Sequence, residues 1–257
     1  MNLVRHSWHM TVRHLRGLLR QPWWIAISLA QPVTYLVLYG QLFKRVVELP
    51  GFAATSYMTF VTPGIVIMMS IFGGGWNGMG IIMELDNGVM DRFLVSPVSR
   101  FAIIAGRLIQ MSIILVVQTA IVLILGMMLG ARFDGGIVGL LVLMVSSVLL
   151  AVPFGALSNA MGLTLRRTES VIGASNFILL PMIFLSPVFM APALMPGWIR
   201  AVARFNPVAW AVESARSAMS LTPDWSLIGT DLLLLVLLTC AASWVATKAF
   251  MSYQRSA

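Results

Sequence analysis

The side chains most able to do chemistry crowd into one stretch, Met83 to Arg100, where Glu84, Asp86, Asp91, Arg92 and Arg100 fall close together around Gly88. Carboxylates and guanidiniums at this density serve acid–base chemistry, cation binding or docking to a charged partner. A catalytic reading fails on inventory. His6, His9 and His14 all lie near the start of the chain, with no metal-ligand spacing and no nucleophile set around them. A nucleotide-cradling G-x-x-x-x-G-K-[ST] loop needs a lysine after a glycine, and neither Lys44 nor Lys248 follows one. The single cysteine, Cys240, sits in an apolar run and cannot form an internal disulfide. Docking is left. Val89, Met90, Phe93 and Leu94 recur at helical offsets, Gly88 permits a turn before them, and Pro97 after Ser96 stops the helix. The pattern fits a short amphipathic helix between two breaks, and also an ordinary loop with one helical turn.

The elements that hold this stretch are apolar. Of 257 residues, 59% are hydrophobic and 10% charged, against about 25% charged in soluble domains. Such a chain cannot cover its own surface with polar groups, so lipid is part of its solvent. A spanning helix takes about 20 mostly apolar residues. Six stretches qualify, near Trp23–Phe43, Thr59–Met83, Phe101–Gly130, Ile137–Leu163, Val171–Met190 and Leu227–Phe250. The expected fold is an all-α membrane protein, a single six-helix transmembrane domain over residues 23–257. The apolar run after Trp23 continues to Phe43 behind some 20 residues of basic sequence, which fits an anchored first span and not a cleaved signal peptide.

Arg5, Arg13, Arg16, Arg20, Arg92, Arg100, Arg107, Arg166, Arg167, Lys248 and Arg255 fall in one set of connecting segments; Lys44, Arg45, Arg132, Arg200, Arg204 and Arg216 fall in the other. The larger set faces the cytoplasm, which places both termini inside and accounts for the +8 net charge without nucleic acid. Residues 1–22 repeat Trp8, Val12, Leu15, Leu18 and Leu19 at helical spacing among arginines, and read as an amphipathic interfacial helix. Residues 191–225 are too polar and too proline-broken for a span. Two short helices joined at Asn206-Pro207 are expected there, dipping into the outer leaflet, with Trp198 and Trp210 at the interface. Glu213 and Arg216 are three apart and can face each other, as a gate or as a charge-neutralising pair. Within the spans, Gln31, Asn77, Gln110, Gln118, Asn159 and Asn176 are polar groups that line a path or bond between helices. Gly73, Gly74, Gly75 and Gly78, with Gly126 and Gly130, allow close helix contact, within the chain or at a dimer seam.

The charged stretch resembles the signature of type-2 ABC exporter permeases, the family that includes drug-resistance permeases of the daunorubicin type. Glu84, Asp86, Gly88, Asp91, Arg92, Leu94, Ser96, Pro97, Val98, Ser99 and Arg100 match it; Val89 stands where the family carries threonine, and Phe93 where it carries leucine. Gln31-Pro32, Leu194-Met195-Pro196-Gly197-Trp198, Phe205-Asn206-Pro207-Val208-Ala209-Trp210 and Glu213-Ser214-Ala215-Arg216 extend the resemblance in order along nearly the whole chain. It implies a type V ABC exporter-like fold with a cytoplasmic coupling loop at residues 84–100 and a re-entrant hairpin at residues 191–225 capping the exit. It implies two permease chains, identical or different, and two copies of an ATP-binding subunit that carries ATP and Mg; this chain needs no cofactor of its own. It places the assembly in a bacterial cytoplasmic membrane, exporting an amphipathic drug, lipid or lipid-linked glycan. The alternative is an ion-coupled secondary transporter, which requires ionisable groups within the spans.

Overall fold

The computed structural model describes residues 23–49, 56–88 and 100–255. The interfacial helix expected over residues 1–22, and Val89, Met90, Asp91, Arg92, Phe93, Leu94, Ser96 and Pro97 of the charged loop, lie outside the described residues. Among the described residues all regular structure is helical, the arrangement that satisfies every backbone group within its own segment. In chain order the helices are α1 (Trp23–Leu42), α2 (Tyr57–Gly75), α3 (Met79–Asp86), α4 (Arg100–Met128), α5 (Gly136–Leu165), α6 (Thr168–Phe184), α7 (Gly197–Ala203), α8 (Pro207–Ala218) and α9 (Trp225–Arg255). Among the described residues, four stretches are long and apolar enough to cross a membrane: Tyr57–Asp86, Ala105–Met128, Gly136–Leu165 and Trp225–Lys248. α1 has 20 residues and α6 has 17.

α2 is the spine. Val61, Ile65, Val66, Ile67 and Ile71 on it are fully buried, and it packs against α1, α4, α5, α6 and α8. α9 packs on α5 and α8 at the edge and leaves Leu233, Val236, Leu237 and Trp244 exposed. Burying aliphatic side chains in the middle while leaving others bare at the rim is what a bundle solvated by lipid requires.

Two spans differ from their expected extent. The second, expected as one helix over Thr59–Met83, ends at Gly75, turns through Trp76, Asn77 and Gly78, and resumes as α3. Glycines at 73 to 75 weaken the helix there, and side chains from other helices take over the freed backbone groups. The fifth, expected to reach Met190, ends at Phe184; Pro187 disfavours helix in the residue before it.

The glycines act inside the chain. A Cβ on Gly74 would collide with the Ala151 carbonyl, and one on Gly78 with the Ser158 carbonyl. Both carbonyls belong to α5, so these glycines set the close approach of α2 and α3 to it. Gly126 lies against the Thr62 side chain, whereas Gly73 and Gly130 face open space.

Candidate functional site: a polar node at the α2–α3 break and a cavity beside α8

The break between α2 and α3 leaves backbone groups without helical partners, and three other helices supply them. Ser158 on α5 and Ser175 on α6 donate to the Gly75 carbonyl at 2.5 and 2.7 Å. The Ser158 hydroxyl also accepts from the Gly78 amide at 2.9 Å. The side chains of the turn reach outward: Asn77 Nδ2 donates to Asn159 Oδ1, and the Trp76 indole donates to Asn176 Oδ1, each at 3.2 Å. From α4, Arg107 sends Nη2 to the Asn77 carbonyl at 3.4 Å and Nη1 to Glu84 Oε2 at 2.6 Å. The turn, α3, α4, α5 and α6 thus share one hydrogen-bonded node. Its charged members are nearly out of solvent, with side chains 7% exposed for Arg107 and 16% for Glu84.

Three of the six intramembrane amides meet here, Asn77, Asn159 and Asn176. The other three do not join them. Gln118 on α4 donates to Ser28 on α1 at 2.6 Å. Gln31 is exposed on α1, 3.5 Å from Tyr35 of its own helix. Gln110 is half-buried on α4. Arg107, Ser158 and Ser175 were not singled out from the sequence, although Arg107 is the one charged residue between Phe101 and Gly130. Of the coupling residues, Asp86 closes α3 and Gly88 follows it with φ +62°, the left-handed backbone that glycine adopts without cost.

At the opposite end of α2 lies a second polar arrangement. Phe60 and Gly75 are 15 residues apart, about 22 Å of helix rise. Arg216 on α8 spreads its guanidinium over three backbone carbonyls. Nε donates to Phe60 at 3.0 Å, Nη2 to Val188 at 2.7 Å and Nη1 to Pro187, and the group stacks on the Phe60 ring at 3.5 Å. The expected Glu213–Arg216 ion pair does not form; among the described residues the ion pair is Arg107 with Glu84. The reason is competition. The chain leaving α6 presents carbonyls without helical donors, and a planar fork satisfies several of them together. Burial pushes the Glu213 carboxyl up, and the nearby Arg216 charge partly offsets it.

The two expected short helices are α7 and α8. Asn206 caps α8, its Oδ1 accepting from the Val208 amide at 3.0 Å with Pro207 at the first helical position. Its Nδ2 donates to the carbonyls of Met182 and Leu185 at 2.6 and 3.1 Å, tying α8 to the end of α6. The Trp210 indole donates to the Arg204 carbonyl at 2.8 Å, and Trp198 is 65% exposed. Between α7, α8 and α9 lies a cavity of about 350 Å³, lined among others by Arg200, Arg204, Trp210, Glu213, Asp231 and Leu234.

The family model described as ABC-2 type transporter matches residues 5–220. The chain is 30% identical over 190 residues to the daunorubicin resistance ABC transporter permease protein DrrB1 of Streptomyces coeruleorubidus, covering 73% of this chain and 65% of that protein. It is 26% identical over 230 residues to the putative transport permease ycf38 of Pyropia yezoensis, covering 88% of this chain and 77% of the relative. It is 26% identical over 156 residues to the probable doxorubicin resistance ABC transporter permease protein DrrC of Mycobacterium tuberculosis, covering 61% of this chain and 56% of the relative.

Proposed function

The chain belongs to the ABC-2 type transporter family and is a multi-pass membrane protein, and from that premise we propose that it is the permease subunit of an ATP-driven exporter of an amphipathic drug, lipid or lipid-linked glycan. In this reading two permease chains form the path and two ATP-binding subunits, holding ATP and Mg, dock on its cytoplasmic face. α1 and α6 join the four long apolar stretches as spans, giving six. The chain sits in a bacterial cytoplasmic membrane with both termini inside. Residues 84–100 contact the ATP-binding subunit, and α7 with α8 forms the re-entrant cap at the outer face.

The observation that carries this reading is the node at the α2–α3 break. Glu84, where the docking loop begins, is joined by 2.6 Å to Arg107 on the next long helix, and Arg107 in turn reaches the Asn77 carbonyl at the break. Asn77 and Gly78 are held by α5. A displacement of the loop is thereby delivered to α4 and α5 together, because charge-assisted bonds out of water resist stretching. α2 carries it on toward the α8 end.

Co-purification from a native membrane with an ATP-binding subunit, and ATP-dependent transport in inverted vesicles, tests the proposal. Transport that persists in ATP-depleted vesicles under an ion gradient would replace it with ion-coupled secondary transport.

A further inference from the structure

Four charged side chains line the cavity between α7, α8 and α9: Arg200 and Arg204 from α7 and the residue after it, Glu213 from α8, and Asp231 from α9. Their charges balance, yet no nitrogen–oxygen contact within 4.0 Å joins a guanidinium to a carboxylate among them. The guanidiniums lie at the exposed rim, and Arg200 is held there by the Met195 carbonyl at 3.1 Å. The carboxylates lie deeper. Asp231 is 8% exposed, and its Oδ2 is buried with no hydrogen-bond partner. A buried carboxylate without a donor is costly unless something supplies one.

We propose that this cavity binds the zwitterionic headgroup of phosphatidylethanolamine, its phosphate on Arg200 and Arg204 and its ammonium on Asp231 and Glu213. The order of charge along the cavity matches that of the headgroup, with the anion site at the exposed rim and the cation site inside. A primary ammonium offers N–H donors to the partnerless Asp231 oxygen, which a trimethylammonium does not. The Trp210 ring, fixed through its indole bond to the Arg204 carbonyl, supplies one apolar wall. The volume of about 350 Å³ is near the lower end of ligand cavities, roughly 300–1,000 Å³, room for a headgroup with its acyl chains left outside. Those chains have a surface to lie on. Val202 on α7, Phe205 just after it, and Leu233 and Leu237 on α9 are exposed apolar residues on the elements that bound the cavity. The proposal rests on the chain's place in a membrane and not on the direction or driving force of transport.

Native mass spectrometry of the purified full-length chain, titrated with phosphatidylethanolamine, phosphatidylcholine and phosphatidylglycerol of identical acyl chains, tests it. The expected order has phosphatidylethanolamine tightest. Asp231→Asn and Glu213→Gln should each weaken phosphatidylethanolamine about tenfold or more, leaving phosphatidylglycerol unchanged, and Arg204→Gln should weaken all three. Thermal unfolding in lipid-free detergent gives a second readout. Asp231→Asn should be as stable as the parent there and lose the increment that phosphatidylethanolamine adds to the parent. Equal binding of phosphatidylglycerol, or an undiminished phosphatidylethanolamine preference in both carboxylate variants, overturns the proposal. Glycerophosphoethanolamine binding as tightly as the whole lipid overturns the lipid assignment and makes the ligand a soluble zwitterion. ATP-dependent transport failing while this selectivity holds would strike the exporter reading alone.

Discussion

Arg107 on α4 and Glu84 on the last turn of α3 close a 2.6 Å ion pair where α2 gives way to α3. Both side chains are largely withdrawn from solvent. A pair in that position adds little net stability over apolar residues, but losing one partner strands a desolvated charge. Arg107 is also committed to the Asn77 carbonyl, so its removal uncovers a backbone acceptor as well.

Arg107→Met should therefore destabilise the protein by about 3–5 kcal/mol, read as a fall in unfolding temperature in detergent. Glu84→Gln should cost less, because a neutral amide oxygen still accepts from the guanidinium. The Arg107→Met, Glu84→Gln double variant should be more stable than the sum of the single losses predicts, since both substitutions remove the same shared interaction. Strict additivity would show that the two side chains do not act as a pair.

Gly88 tests the docking loop without touching the node. Its φ of +62° costs an L-residue about 1–2 kcal/mol, and a β-branched residue is the poorest fit. Gly88→Val should insert and fold, retain the Arg107 node, and lose stimulation of ATP hydrolysis by transport substrate in the assembled exporter. Unchanged stimulation in that variant would remove residues 84–100 from the coupling path.

The glycines separate packing from composition. Gly73 and Gly78 lie five residues apart around the same break, yet only Gly78 sits against the Ser158 carbonyl of α5. Gly78→Ala should push α3 off α5 and lower the unfolding temperature sharply, because the obstacle is backbone and cannot rotate away. Gly73→Ala faces open space and should be neutral or slightly stabilising, since alanine favours helix over glycine by about 1 kcal/mol. Equal effects of the two would contradict the observed packing.

Length and hydropathy made the long helices legible, and Pro207 after Asn206 marked where α8 begins. The break at Trp76 was not legible, because the glycines that weaken the helix are equally common in unbroken spans. What decides it is Ser158 and Ser175, more than 80 residues away, taking the Gly75 carbonyl. Asn77, Asn159 and Asn176 stood out as polar groups among apolar neighbours, but no spacing rule brings a turn and two separate helices to one point. Arg107 could have been found as a lone charge in a long apolar run; counting it among loop arginines hid it. The i, i+3 rule put Glu213 beside Arg216 correctly along the helix. It failed on bonding because the carbonyls of Pro187 and Val188 outcompete one carboxylate for the fork.

Asn206 does two jobs with two ends of one amide, and two substitutions separate them. Its oxygen caps α8, and its nitrogen holds the carbonyls of Met182 and Leu185 at the close of α6. Asn206→Asp keeps the capping acceptor and removes both donors, setting a carboxylate against two carbonyls. Asn206→Ala removes everything and leaves the carbonyls merely unpaired. If the cap dominated, alanine would be the worse variant, by about 1 kcal/mol. The tie to α6 carries two of the three bonds, and Asn206 is 6% exposed, so a carboxylate set against two carbonyls there makes aspartate the worse, with a lower unfolding temperature at neutral pH. Acidification should favour it, because protonation converts the carboxylate into a group with one donor and relieves the repulsion. The aspartate variant should thus gain stability relative to alanine as pH falls below the carboxyl's raised folded-state value. An aspartate variant at least as stable as alanine at neutral pH would show that α8 is held by its cap and not by its bond to α6.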